Sequence, residues 1–108
     1  MKYTYKCILG AGSGKPFIRF IHNWKEAGFY ADLLSALKDV NPTATCTTPE
    51  SRRCCDEYNY LVQTDIGNFE LEMIWESDEA KIYADTNQQG ILKIDTILND
   101  DTRFERLK

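Results

Sequence analysis

Nine acidic residues crowd one stretch of this chain: Asp56, Glu57, Asp65, Glu70, Glu72, Glu76, Asp78, Glu79 and Asp85, with Lys81 the only base among them. Carboxylates in that number can exchange protons with a substrate or present a negative surface to a basic partner. Glu70 and Glu72 are the pair best placed for chemistry. Two apart on one strand face, they lie about 7 Å from each other, a spacing compatible with glycoside hydrolysis. An acid/base couple, however, needs its two pKa values driven apart by unlike surroundings. Alternating glutamates on one solvated strand face share the same surroundings, so they read as surface and no catalytic residue is assigned.

The other reactive side chains are Cys7, Cys46, Cys54, Cys55 and the single histidine, His22. The interval from Cys46 to Cys54-Cys55 lacks the paired short spacings of a structural zinc site, so no metal is assigned. Arg52 and Arg53 directly precede Cys54 and favour a thiolate, but Asp56 and Glu57 follow at once and oppose them. A thiol-based enzyme or redox regulator using Cys54 and Cys55 is therefore kept as an alternative; it would need a base such as His22 within reach. Cys7 alternates with Tyr3, Tyr5 and Leu9 and is expected in the core. The glycine-rich run from Gly10 to Gly14, followed by Lys15, invites a phosphate-loop reading. That motif needs glycine where Leu9 stands and a hydroxyl residue where Pro16 stands. The run also leads into a strand rather than a helix N-terminus, so it reads as a hairpin loop and no cofactor is assigned.

Charge is sorted along the chain. Residues 1–55 carry net +4, residues 56–85 net −8 and residues 86–108 balance, giving −4 overall and an isoelectric point near 4.9. This is opposite to the usual nucleic-acid footprint, and the early positive charge is dispersed apart from Arg52-Arg53, so nucleic acid is not an expected partner. The 108 residues suit a single domain, residues 1–108, whose 43% apolar content supplies a core without metal or disulfide. The N-terminus alternates instead of showing a signal-like apolar run, and no stretch approaches the roughly 18 apolar residues of a membrane span. A cytoplasmic protein with reduced thiols and no membrane partner is expected.

These residues must be positioned by a mixture of strands and helix. Residues 2–9 alternate strictly, and Pro16–His22 resumes extended structure after the glycine turn, which predicts a hairpin. Asn23 can cap a helix over about 24–40, with Glu26 completing a capping box. Ala27, Tyr30, Ala31, Leu34, Leu37 and Val40 form its stripe, Leu33 flanks it, and Asn41-Pro42 ends it. Residues 42–57 read as a long polar loop. Residues 58–66 and 69–76 read as strands around a Gly67-Asn68 turn. In the second, Phe69, Leu71, Met73 and Trp75 face one way and Glu70, Glu72 and Glu76 the other. Ser77-Asp78 turns the chain into a shorter strand at 81–85. Residues 91–98 fit either a strand or a helix with Ile91, Ile94 and Leu98 inward; the extended reading is preferred. Thr102 is placed to cap a final helix through Leu107.

The expected fold is α+β: an antiparallel sheet of about five to six strands with one principal amphipathic helix on one face. The acidic face has an ordinary explanation if the strand bearing Lys2 and Lys6 lies beside residues 69–76, where cross-strand pairs worth roughly 0.2–1 kcal/mol each would form. Two lysines cannot balance Glu70, Glu72, Glu76, Asp78 and Glu79. The functional expectation is a small acidic protein-binding domain, an inhibitor of a basic protein such as a toxin nuclease, in the manner of an immunity protein. Its binding residues are Asp65, Glu70, Glu72, Glu76, Asp78 and Glu79, with Tyr58 or Tyr60 as an aromatic anchor. A self-associating subunit is the third possibility.

Overall fold

The computed structural model describes residues 2–10, 14–47, 57–84 and 86–107. The fold is α+β, as expected, with seven strands and two helices among the described residues. The strands are β1 (Tyr3–Leu9), β2 (Pro16–His22), β3 (Thr43–Cys46), β4 (Glu57–Thr64), β5 (Gly67–Ile74), β6 (Glu79–Tyr83) and β7 (Phe104–Arg106), and the helices are α1 (Phe29–Ala36) and α2 (Gln88–Asp100). They form one sheet in the order β3-β4-β5-β6-β2-β1-β7. All pairings are antiparallel except β1 with β7.

Alternation divides the sheet into two unlike faces. Tyr3, Tyr5, Ile18, Phe20, Val62, Phe69, Leu71, Met73, Ala80 and Ile82 share one face and are all buried. Both helices sit on it. Phe29 of α1 packs edge-on to Phe20 (4.9 Å between ring centroids) and Tyr3 (5.3 Å), while Tyr5 on β1 donates to Asp95 of α2. Among the described residues, no helix covers the opposite face.

Several elements differ from the sequence reading. Asn23 does not cap a helix: it takes a positive φ of 70° and donates its side-chain N–H to the Lys2 carbonyl, 2.6 Å away. The chain turns there, sinks Trp24 into the core and begins α1 only at Phe29. The buried stripe is Phe29, Leu33, Ala36, Leu37 and Val40, the last on a 3-10 turn at Lys38–Val40. It is rotated from the expected one because the bulk of Phe29, rather than Ala27, fills the space under Phe20. The segment 91–98 is helical, within α2. Its cap is Asn87, whose Oδ1 accepts the Gly90 N–H at 3.0 Å. Ile91, Ile94 and Leu98 face inward, the helical alternative of the two that the sequence allowed.

The expected C-terminal helix is instead strand β7. Arg103 forks onto Asp101 (3.0 and 2.8 Å), turning the chain so that Phe104 can pair with Tyr3. Residues 42–57 are not all loop, since Thr43–Cys46 forms an edge strand on β4. The β4–β5 turn is Asp65-Ile66, two residues earlier than Gly67-Asn68. Strand β5 ends at Ile74, leaving Trp75 in the next turn and partly exposed. Cys7 is half-buried rather than core.

Two tyrosines under the helices tie stability to pH. Tyr3 donates to Asp32 Oδ2 at 2.6 Å; that hydrogen bond, helped by burial, pushes its phenol from near 10 up to about 12. Burial, with the Asp95 hydrogen bond second, drives Tyr5 the same way. Both phenols hold their protons longer in the folded protein than in the unfolded chain. Their contribution to stability is therefore complete below pH 10 and lost as pH rises from 10 toward 12. Urea midpoints across that window should fall, and fall less steeply in Tyr3→Phe. A midpoint independent of pH there would contradict the assignment.

Candidate protein-binding surface

The uncovered face is built in rows across the strands. The central row runs Asn59 (β4), Glu72 (β5), Lys81 (β6), Arg19 (β2) and Lys6 (β1), each opposite the next in register. On one side of it, Leu61, Glu70 and Tyr83 align, and continuing the β6–β2 register adds Phe17, which pairs with Ile8. On the other side, Glu57, Ile74 and Glu79 align, with Ile21 next in the same register. Every one of these side chains is exposed or half-buried, and none belongs to the core.

The six carboxylates proposed from sequence do not form one patch. Glu70, Glu72 and Glu79 share the uncovered face and are joined there by Glu57. β4 begins at Glu57, one residue before the expected start, and that places Glu57 on this face. Glu72 forms an ion pair with Lys81 at 3.5 Å. Among the described residues, no lysine or arginine pairs with Glu57, Glu70 or Glu79. Glu76 and Asp78 lie in the β5–β6 turn, where Asp78 meets Lys25 at 3.2 Å. Asp65 is at the opposite end of the strands. Its backbone N–H donates to the Val40 carbonyl and its carboxylate accepts from Asn41 Nδ2, so it fastens the β4–β5 turn to the chain leaving α1.

The charge explanation also changes. Strand β1 is separated from β5 by β2 and β6, so Lys2 and Lys6 cannot pair with Glu70 or Glu72. Lys81, the base within the acidic segment, pairs with Glu72 instead. Lys6 and Arg19 instead make a second, positive half of the same face.

Tyr58 and Tyr60 point to the helix side. With Met73 and Trp75 they line an open cleft of about 420 Å³, and Tyr60 stacks at 4.6 Å on Tyr30 of α1. They therefore contribute to a different surface from Glu70 and Glu72.

The remaining reactive groups are accounted for in part. Burial pushes the Cys7 thiol up, with Asp95 acting in the same direction, the reverse of an activated thiolate. His22 Nδ1 shares a hydrogen bond with Thr4 Oγ1 at 2.9 Å. Cys54, Cys55, Arg52, Arg53, Asp56 and Asp85 lie outside the described residues, as do residues 11–13 of the glycine loop. Among the described residues no three histidine, cysteine or acidic side chains converge as a metal site would require, and no helix is long and apolar enough to cross a membrane. No known protein family matches the chain, and no curated protein or solved structure is found to be similar to it.

Proposed function

We propose that this is a protein-binding domain that inhibits a basic partner, such as a nuclease toxin, in the cytoplasm, and that it carries no chemistry of its own. The observation that supports this reading is the sheet face opposite the helices. Among the described residues, both helices pack on the other side, and no lysine or arginine forms an ion pair with Glu57, Glu70 or Glu79 on β4 to β6. Half-buried Leu61 and Ile74 lie between the carboxylates and add apolar contact. Such a surface matches the basic, phosphate-binding cleft of a nuclease. Charge complementarity would act mainly on encounter, raising association toward about 10⁸ M⁻¹s⁻¹ at low salt.

The test is affinity capture from the native host with the wild type and with Glu70→Lys/Glu79→Lys as baits. The wild type should retain a basic protein, release it as salt rises, and suppress its activity. The double variant should lose at least about tenfold in association rate. Equal retention by both baits, with the same salt dependence, would sink the proposal.

A further inference from the structure

The cleft on the helix side of the sheet lies away from the carboxylate face and is built from different residue types. Tyr58 and Tyr60 stand two apart on β4, Met73 lies opposite Tyr58 in the sheet register, and Trp75 follows two residues later. Two ring contacts hold its walls in place. Tyr60 stacks on Tyr30, and Trp75 meets the buried ring of Trp24 in a T-shaped contact, 5.6 Å between centroids. Met73, nearly buried, supplies the floor. At about 420 Å³ the cleft falls within the size range of small-ligand sites, about 300–1,000 Å³.

The lining decides what charge the cleft accepts. Tyr58, Tyr60 and Trp75 are aromatic, and the negative faces of aromatic rings attract cations. Strands β4 and β5 both fall within residues 56–85, which carry net −8, so the surrounding field also favours a cation over an anion. Lys25 shows the preference directly: its Nζ lies 5.5 Å from the ring centroid of Trp24 and 6.0 Å from that of Trp75. A bare ammonium, however, carries N–H groups that need acceptors once they leave water. Lys25 finds one in Asp78, at 3.2 Å. Among the described residues, no carboxylate lines the cleft itself. The cation that suits it is therefore one without N–H groups.

We infer that this cleft binds a small quaternary ammonium compound, a cation whose charge is spread over methyl groups. The methyl groups lie against the rings of Tyr58, Tyr60 and Trp75 and against the Met73 side chain, and no donor is left without a partner. Four side chains enclose a single headgroup, which makes a free small molecule the expected ligand. The cleft is open to solvent, so affinity is in the millimolar range. The inference does not rest on the proposed function, because Glu57, Glu70 and Glu79 occupy the other face of the sheet.

Titration of the purified chain with choline, followed by NMR at the Trp75 indole N–H and the Met73 methyl, tests it. Both signals should shift and saturate. The uncharged alcohol in which carbon replaces the choline nitrogen has the same shape, and should bind at least about fivefold more weakly. Trp75→Leu, at a partly exposed turn position where folding is not at risk, should weaken choline binding by a similar factor. Tyr58→Phe keeps the ring and should stay within about twofold of the wild type, whereas Tyr58→Leu should not. Lys25→Gln withdraws a competing ammonium and frees Asp78, so choline should bind at least about twofold more tightly. Glu70→Lys/Glu79→Lys should bind choline as the wild type does, which separates this inference from the proposed function. Tighter binding of a peptide bearing trimethyllysine would support the site and assign the headgroup to a peptide side chain. Equal binding of choline and the uncharged alcohol would overturn the inference, as would no shift at all or a Met73 shift indifferent to Trp75→Leu.

Discussion

Gly67→Ala is expected to destabilise the domain by about 3–5 kcal/mol. Gly67 opens β5 with φ of 131°, a conformation L-residues avoid, and an added Cβ would stand 2.1 Å from Asn87 Nδ2. Asn87 cannot move aside without cost. Its Nδ2 donates to the Ile66 carbonyl and its Oδ1 caps α2 through the Gly90 N–H. Backbone strain of about 1–3 kcal/mol adds to a lost cap worth about 1 and a carbonyl left without its donor. Gly14 supplies the control, since it also has positive φ, at 69°, but an added Cβ there meets nothing within 4 Å. Gly14→Ala should therefore cost only about 1–2 kcal/mol of strain. Chemical denaturation of the two variants should separate them by at least about 1 kcal/mol. Equal losses would show that the Asn87 junction contributes little.

Replacing Asp95 with alanine is expected to cost about 2–4 kcal/mol. Asp95 is 7% exposed on α2, the one buried charged residue among those described. Its carboxylate accepts from Tyr5 at 2.9 Å and from Arg106 at 3.0 Å, linking the helix to β1 and β7 at once. Breaking a fully buried ion pair costs about 3–5 kcal/mol. Here the loss is smaller, because Arg106 is half exposed and Tyr5 keeps a second acceptor in the Asp95 carbonyl, also at 2.9 Å. Asp95→Asn retains an acceptor for Tyr5 and loses only the charge, so about half the effect is expected. The damage should be local first. The Leu107 N–H, which donates to the Tyr5 carbonyl at 2.7 Å, should exchange with solvent faster in Asp95→Ala than in the parent. Unchanged protection at Leu107 would detach Asp95 from the β7 edge.

The α+β class and most of the strands could be read from period-two alternation, which is local and needs no partner. The elements misread were those whose conformation is decided by distant residues. Asn23 has the chemistry of a helix cap, but the Lys2 carbonyl claims its side chain. Residues 91–98 satisfy both periods, and the choice falls to Asn87 and to the pocket that receives Asp95 beneath Tyr5. The C-terminal residues carry helix signals, yet Arg103 prefers Asp101 and the free edge of β1 takes Phe104. The carboxylate face was legible on β5 alone. Its true neighbours were not, because strand order is a long-range property: β6 rather than β1 supplies the lysine, and Arg19 and Lys6 become the opposite pole of the same surface.

That strand order also governs how the sheet comes together. The hairpin β1–β2 and the run β3 to β6 are each built from neighbours in sequence, so either can assemble from its own stretch of chain. Among the described residues, the sheet pairing that joins them is where Ile18, Arg19 and Phe20 meet Ile82, Lys81 and Ala80. Closing that seam brings together residues about 60 positions apart, and the entropy of so large a loop is lost before the buried face rewards it. The seam is thus the natural barrier on the folding path, and it runs beside the boundary between the two charged halves. Until it closes there are two half-sheets of opposite sign, and the dipolar face exists only in the finished molecule.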